Sequence, residues 1–200
     1  MFALVESGSI TKYLNGNRGI QIGDLKYPRA IYTLWTEAER NAIGIYTVEY
    51  DNSNKKDEKW YINTNQSYAF GSGKVTATYG TATAKAHADA NFTAQDETDG
   101  LGTEGELKSR GLKYNLIQDV KLEAANELAK TDWYVVRKSE ESTAIPSAIT
   151  THRRAVRSKQ AAMETAITNA SDTPALETLY TYTTDSDGVH SRPLGEIPTL

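Results

Sequence analysis

Histidine and carboxylate side chains are the groups in this sequence that could bind a metal ion or transfer protons. The three histidines lie far apart in the chain, at His87, His152 and His190. A metal-binding helix places two ligands four residues apart, and none of these histidines has a His or Glu at that spacing. We therefore expect solvated or internally hydrogen-bonded histidines rather than metal ligands.

The loop that follows Tyr50 holds a dense cluster of side-chain oxygens. Asp51, Asp57 and Glu58 lie near two asparagines, and Ca²⁺ is bound by side chains of these types. The calcium-loop pattern D-x-N-x-D-G with a distal Glu is absent, however, and Asn and Asp are also typical of turns. A polar connection between two strands explains this loop more simply.

Motifs of the common enzyme classes are missing from the sequence. There is no G-x-S-x-G, and Gly71-Ser72-Gly73-Lys74 lacks the spacing and the Ser/Thr ending of a phosphate-binding loop. A glycosidase would need two carboxylates that converge in a cleft, and no spacing supports such a pair. We therefore expect a protein that is not an enzyme, with no catalytic residue, no metal and no cofactor.

The amino-acid composition argues against several classes of binding partner for this protein. The 200 residues carry a net charge of −4, which gives no general attraction to nucleic acid or to an anionic membrane. The absence of cysteine excludes disulfides and thiolate metal sites. No apolar run approaches the length of a membrane span, and the first residues lack the basic and apolar parts of a secretory signal. We expect folding in a cytoplasm, with no nucleic-acid or membrane partner.

Residues 1–80 show the short alternating runs and turn clusters of an antiparallel β-meander. Gly8-Ser9 is predicted to turn the first strand back on itself, and Gly71-Ser72-Gly73 to join the strands of a later hairpin. Ile45 to Tyr50 is the clearest strand, and Trp60 to Asn63 is predicted as its return strand. Thr36 and Glu39 form a capping box, which predicts a short helix. The fold class predicted for the whole chain is α+β: this small antiparallel β-meander domain with a short helix, then a linker and a C-terminal α-helical hairpin.

The rest of the chain divides into three predicted segments. Residues 81–103 are rich in Ala, Thr and Asp and have little apolar bulk, so they are predicted to form a linker that is extended or ordered by a partner. Residues 104–180 show helical periodicity, with a first helix of roughly 25 residues and a second that begins at Pro146. Residues 181–200 are rich in turn-forming residues and are predicted to be an irregular tail.

Between the two predicted helices lies a stretch, Thr131 to Arg157, that mixes charge with large apolar groups. It includes Trp133, which is one of three tryptophans in the chain. We predict that Trp133 packs in the core where the helices meet, because burying such a ring stabilises a small helical hairpin by a few kcal/mol. Its amphipathic neighbour Tyr134 is expected to reach the surface.

A locally basic set of side chains occupies the same stretch. It includes Arg137, Arg153 and Arg157, with acidic residues in the first predicted helix. A nucleic-acid surface would need stacking aromatics among the charges, and these are sparse. We expect a solvated face or pairing with residues 119–127, and the alternative is a contact with an acidic protein surface.

Three motifs in the second half of the chain follow one another at an unusual spacing. They are D-W-Y-V-V-R-K from Asp132 to Lys138, Ile145-Pro146, and R-x-x-V-R from Arg153 to Arg157. Over residues 106–180 this arrangement resembles the C-terminal region of tailed-phage tail-fibre assembly proteins, which are also described as tail assembly chaperones. The family pattern has Tyr-Arg or a similar pair in the proline-started helix, where this chain has His152-Arg153.

The resemblance implies a non-enzymatic bacteriophage tail protein that binds the tail fibre or an adjacent tail component. Members of the family promote trimerisation of the fibre, and some related small proteins are expected to stay in the virion as adaptors. The partner would be an oligomeric tail protein, and the location would be the host cytoplasm during assembly or the virion tail. The candidate partner contacts are Trp133, Tyr134, Arg137, Arg153 and Arg157.

The alternative function is recognition of a receptor or a cell-surface glycan by the β-rich domain. Tyrosine and tryptophan supply an apolar face with a polar tip, which suits stacking against a ligand. The candidate stacking residues are Tyr46, Tyr50, Trp60, Tyr61 and Tyr68. A tyrosine-rich sheet core is the competing interpretation of the same residues, and we favour it.

Overall fold

The computed structural model describes residues 1–64 and 66–200. The chain forms two compact units, Met1–Thr83 and Ala84–Leu200. Strands dominate the first unit and long helices the second, and most strand pairs are antiparallel. The α+β class is therefore confirmed.

The first unit is built from short strands with two helical turns between them. Its strands are β1 (Phe2–Glu6), β2 (Ser9–Leu14), β3 (Ile20–Ile22), β4 (Leu25–Tyr27), β5 (Ile45–Asp51), β6 (Tyr61–Ile62), β7 (Gln66–Gly71) and β8 (Lys74–Tyr79), with β9 (Thr83–Ala84) at its boundary. Its helices are α1 (Ile31–Leu34) and α2 (Glu37–Ala42).

Five of these strands form one sheet in the order β2-β1-β5-β8-β7. The β1/β2 and β7/β8 pairs are antiparallel hairpins, as their turn residues predict. Strand β5 runs antiparallel to β1 but parallel to β8, so the sheet departs from a simple meander at this pair. A parallel pair needs a crossover connection, and here residues 52–73 supply it.

The predicted return strand Trp60–Asn63 is present only as the two-residue strand β6, and it does not pair with β5, which is hydrogen-bonded along both edges to β1 and β8. The backbone N–H groups of Trp60 and Tyr61 donate to the Asp57 carbonyl, so the chain turns where this strand was expected to begin. The Asp57 carboxylate also accepts the Lys59 N–H at 2.8 Å. Turn formation therefore explains this acidic loop, as the sequence indicated.

The five-stranded sheet curls so that its two edge strands approach each other. Tyr13 of β2 packs on Tyr68 of β7, with ring centroids 4.9 Å apart. Small and β-branched side chains fill the enclosed face, namely Ala3, Val5, Val48, Val75 and Ala77. The opposite face carries a second apolar cluster around Ile31 and Ile45, which α1 and the β3/β4 hairpin cover.

The predicted capping box is present at the start of α2. The Thr36 side chain accepts the Glu39 N–H, and the Glu39 carboxylate accepts the Thr36 N–H at 2.7 Å. The Thr36 N–H and the Thr36 hydroxyl, which both donate to this carboxylate, lower the pKa of Glu39. Two N–H groups that a helix start would otherwise leave unpaired are therefore satisfied within one turn.

The second unit is mainly helical. Its helices are α3 (Ala94–Thr98), α4 (Leu112–Ala129), α5 (Asp132–Glu141), α6 (Ser147–Asn169) and α7 (Thr173–Tyr180). Two short hairpins accompany them, formed by β10 (Ala90–Asn91) with β11 (Leu107–Ser109) and by β12 (Thr183–Thr184) with β13 (His190–Ser191). Helix α6 begins after Pro146, as predicted, and Asp172 caps α7 by accepting the Ala175 N–H.

Helices α4 and α6 pack antiparallel and form the core of this unit. Lys113 near the start of α4 donates to the Thr168 carbonyl near the end of α6, while Glu127 near the end of α4 contacts His152 near the start of α6. The buried apolar side chains between and beside them include Leu116, Val120, Ala124, Val156, Met163 and Ile167. The predicted helical hairpin is therefore present.

The predicted linker 81–103 is not a separate segment, because all but its first three residues belong to the second unit. Residues 86–89 cap α4: the Leu112 and Lys113 N–H groups donate to the carbonyls of Ala86 and His87, and the Gly111 N–H donates to the Asp89 carboxylate. Backbone hydrogen bonds order this stretch without much apolar bulk. They also place the start of α4 at Leu112, so the predicted helix of roughly 25 residues is shorter than expected.

The predicted irregular tail 181–200 is partly wrong. It contains the β12/β13 hairpin, and its last residues return to the helices, where Leu194 and Ile197 are buried. The Leu194 N–H donates to the Leu179 carbonyl, and Lys159 of α6 donates to the Leu194 carbonyl at 2.8 Å. Two apolar residues in a turn-rich sequence are thus enough to attach the segment.

Candidate functional site

A buried arginine fixes the turn between α4 and α5. Arg153 donates to the Leu128 carbonyl at 2.8 Å and to Thr131 Oγ1 at 2.7 Å, and its Nη2 lies 2.8 Å from the Asp132 carboxylate. The Arg153 side chain is 10% exposed. Its guanidinium is therefore satisfied inside the unit, and the prediction that Arg153 contacts a partner does not agree with this placement.

A second polar group beside Arg153 joins the same helices. His152 Nε2 lies 3.1 Å from the buried Glu127 carboxylate, which Lys130 and the Leu200 N–H also contact. The hydrogen bond from Lys130 lowers the pKa of Glu127 the most, and the bonds from the Leu200 N–H and from His152 lower it further. His152 is thus internally paired with one member of the acidic segment 119–127, in line with the sequence-based expectation.

Helix α5, which follows the residues that Arg153 binds, leaves its large side chains at least partly exposed to solvent. It has ten residues, and none of them is buried. Trp133 is 51% exposed, Val136 is 52% exposed, and Val135 is also exposed. Residues three apart on a helix lie on one face, so Trp133 and Val136 form a continuous apolar surface. We call Trp133, Tyr134, Val136 and Arg137 the α5 patch.

The prediction that Trp133 fills the core is therefore wrong, and the physical reason lies in α6. Met163 and Ile167 occupy the interior of the helical unit, at 1% exposure or less. Arg153 takes the place at the α4–α5 turn where a plugging ring was expected. Tyr134 is half-buried and less exposed than Trp133, which reverses the expected order of these neighbours.

Arg137 lies over the aromatic rings of the α5 patch. Its guanidinium carbon is 4.7 Å from the Trp133 ring centroid and 5.3 Å from the Tyr134 ring centroid. The two rings are themselves in contact, with centroids 3.8 Å apart. Among the described residues, Arg137 has no hydrogen bond or ion pair, and its Nε is buried without an acceptor. Stacking thus fixes a flat cation whose polar edge is unpaired.

Arg157 is exposed and belongs to a different feature. It lies one helical turn beyond Arg153 and lines an open groove of about 670 Å³ beside α6. Leu128 of α4 and several small or polar side chains complete this lining, namely Gln160, Ala161, Glu164, Thr165, Thr168 and Asn169. The groove has no second feature that indicates a ligand, so the candidate site is the α5 patch.

The aromatic residues predicted to stack on a ligand in the first unit do not form one exposed surface. Trp60 and Tyr61 are 3% and 4% exposed, and Tyr46 packs on Phe70 with ring centroids 4.8 Å apart. Tyr50 is exposed. The favoured interpretation, a tyrosine-rich core, therefore agrees with the placement of Trp60 and Tyr61, and Tyr46 lies at the margin of the enclosed cluster.

Val136 is the site residue that sequence reasoning missed. The sequence does contain a signal for Val136: if the run D-W-Y-V-V-R-K is helical, its spacing puts Trp133, Val136 and Arg137 on one face. The prediction of a connection between helices gives this stretch no helical face, whereas the structure has it as α5. No pattern within the run itself shows that this face stays uncovered by the rest of the chain.

No family model matches this chain, and neither a curated protein nor a solved structure matches it. Within residues 1–64 and 66–200 there is no group of three or more His, Asp or Glu side chains placed to hold a metal ion. Over that same part of the chain, none of the helices combines the length and the apolar character that crossing a bilayer requires.

Proposed function

We propose that this protein is a non-enzymatic bacteriophage tail protein that binds the tail fibre, or an adjacent tail component, through the α5 patch. The resemblance of residues 106–180 to tail-fibre assembly proteins supports the class of partner. The observation that carries the proposal is α5 itself, a ten-residue helix with no buried residue and with an exposed Trp133.

The composition of the α5 patch suits a protein interface. Tryptophan, tyrosine and arginine are the side chains that contribute most often to binding energy at interface centres. Trp133, Tyr134 and Arg137 are adjacent and mutually packed. Since these groups already hold one another in place, less side-chain entropy is lost when a partner covers them.

An ion pair at the start of α5 preorganises the α5 patch. Asp132, at the start of α5, is paired with the buried Arg153. The helix is therefore held to α6 at its beginning, while the side chains of the adjacent Trp133 and of Val136, one turn further on, are exposed. A helix that is held rigidly at one end and exposes an apolar face loses little entropy when a partner binds it.

The partner we propose is an oligomeric tail protein, and the two places of action are the host cytoplasm during assembly and the virion tail. An assembly factor binds the fibre, promotes its trimerisation and leaves. A virion adaptor stays bound. Both roles use the same α5 patch and require no catalytic residue.

Co-expression with the tail fibre of the same phage tests the proposal. We expect the wild-type chain to co-purify with the fibre and to raise the yield of fibre trimers. Trp133→Ala should bind about 30-fold more weakly, which corresponds to a hot-spot loss of about 2 kcal/mol. Leu122→Ala, which changes an exposed leucine of α4 in the same unit, is the matched control and should bind normally. Unchanged fibre yield and no co-purification would contradict the proposal.

Mass spectrometry of purified phage particles separates the two roles. A stoichiometric amount of the chain in particles identifies a virion adaptor. Its absence from particles, together with a higher yield of fibre trimers on co-expression, identifies an assembly factor that dissociates.

A further inference from the structure

Arg137 differs from Arg154 and Arg157, the exposed arginines of α6, because its guanidinium is stacked on two aromatic rings and its Nε is buried without an acceptor. Its guanidinium lies over Trp133 and Tyr134 rather than toward the carboxylates of Glu140 and Glu141, one turn further along α5. The nearest other carboxylate on this helix, that of Asp132, is bound by Arg153. Among the described residues, therefore, none supplies Arg137 with an acceptor, and its buried Nε is unsatisfied.

A guanidinium that is stacked flat on aromatic rings still presents its N–H groups along its edge, in a fork that matches a carboxylate. The Nε is shielded from solvent, but the two Nη groups are accessible, and an acidic side chain that binds them would keep the cation over the rings. The geometry of Arg137 is thus prepared for one specific kind of ligand atom.

The apolar neighbours of Arg137 define what must surround that carboxylate. Trp133 and Val136 are each about half exposed on the same helical face. A partner that covers them gains by burying apolar surface, whereas a polyphosphate chain would leave them in water. A nucleic acid would also need several cations spaced along its backbone, whereas α5 carries two, Arg137 and Lys138, and Glu140 and Glu141 offset their charge.

We propose that the α5 patch recognises a protein segment in which an Asp or Glu side chain, bound by Arg137, is flanked by apolar side chains that cover Trp133 and Val136. This inference rests on the proposed function and specifies the chemistry of its partner. The acidic group provides orientation and specificity, because a forked pair fixes direction. The apolar flanks provide most of the affinity.

Selection from a library of random short peptides, with the full chain as bait, tests this inference. We expect enriched peptides to share an acidic residue next to apolar ones. Individual peptides synthesised with Glu→Gln at that position should bind about 10-fold more weakly or worse, as should the protein variant Arg137→Gln. Lys138→Gln is the matched control, because it removes a neighbouring charge that does not stack on the rings, and it should bind normally.

A charge reversal makes the test sharper. Arg137→Glu should lose the acidic peptides and select basic ones from the same library. Enrichment without an acidic residue, or equal binding of the acidic peptides by wild type and Arg137→Glu, would overturn the inference. Arg137-dependent binding of a single-stranded DNA oligonucleotide without peptide enrichment would overturn it as well.

The two proposals fail in different ways. If Trp133→Ala abolishes fibre binding but the selected peptides show no acidic preference, the α5 patch is a binding surface whose partner chemistry is different. If fibre binding survives Trp133→Ala in a folded protein, the proposed function itself is contradicted. Thermal unfolding of each variant provides the check that it is folded.

Discussion

Arg153 and Arg137 are two arginines of the same helical unit with opposite surroundings. Arg153 is buried and binds a carbonyl, a hydroxyl and a carboxylate, all supplied by the α4–α5 turn. Arg137 is stacked on two rings and has no polar partner among the described residues. The first arginine is satisfied by folding alone. The second keeps an unsatisfied Nε after folding, and this contrast is why we propose a recognition role for Arg137.

Two large apolar side chains of the same unit show the same contrast. Met163 of α6 is 1% exposed, while Trp133 of α5 is 51% exposed. A chain that used its largest rings to stabilise its own fold would bury Trp133 and expose the smaller group. The difference indicates that α4 and α6 maintain the fold and that α5 presents a surface.

The largest expected effect comes from truncating these two side chains in turn. Met163→Ala should lower the free energy of unfolding by about 2–5 kcal/mol, because it leaves a cavity in the α4–α6 core. Trp133→Ala should change it by less than about 1 kcal/mol, since half of the ring is already in water. Urea denaturation of the full chain measures both. Equal losses for the two variants would remove the contrast.

The arginine pair gives the next largest effect. Arg153→Gln should lower the free energy of unfolding by about 2–4 kcal/mol, because it removes the charged donor that binds the buried Thr131 hydroxyl and the Asp132 carboxylate. Arg137→Gln should cost about 1 kcal/mol or less, the value of an exposed cation–π contact. If Arg137→Gln were as destabilising as Arg153→Gln, Arg137 would have to be reassigned to a structural role.

A smaller effect is expected at the segment that holds the start of α4. Gly111 lies against Ala88, and a Cβ at this position would overlap backbone atoms of that residue. Gly111→Ala should therefore lower the free energy of unfolding by about 1–3 kcal/mol, through displacement of residues 86–89 from α4. Gly100→Ala is not a suitable control because Gly100 has a positive φ, but Ser109→Ala changes an exposed residue nearby. A loss no larger than that of Ser109→Ala would show that residues 86–89 do not support α4.

The smallest effect is a pH dependence at Asp96 in α3. The Lys108 ammonium, with the Thr93 N–H and hydroxyl, lowers the pKa of Asp96 to about 2 from its usual value of 3.8. A carboxyl whose pKa is lower in the folded state adds stability above its unfolded pKa, and that stability is lost as the pH falls toward about 2. The stability difference between wild type and Asp96→Asn should therefore shrink as urea denaturation is repeated from about pH 5 down to about pH 2.

Local sequence signals predicted the elements that depend on local hydrogen bonds and periodicity. The Thr36–Glu39 capping box, the β1/β2 and β7/β8 hairpins and the start of α6 after Pro146 were all predicted and all confirmed. Each of these features involves residues close in sequence, so their residue types alone carry the information. The α+β class follows from them.

The features that sequence reasoning missed depend on distant residues. The order of residues 86–89 comes from N–H groups of Gly111, Leu112 and Lys113, more than twenty residues away in the chain. The exposure of Trp133 depends on Met163 and Ile167 filling the core from α6. An amphipathic run such as 132–138 indicates an apolar face, but it does not tell whether the same chain covers it.

The central claim is that the α5 patch binds another protein, and calorimetric titration of the purified tail fibre into the full chain and its variants tests it most directly. We predict saturable binding by wild type and by Leu122→Ala, and binding about 30-fold weaker for Trp133→Ala, with thermal unfolding unchanged among the three. Equally tight binding by a folded Trp133→Ala variant would contradict the account.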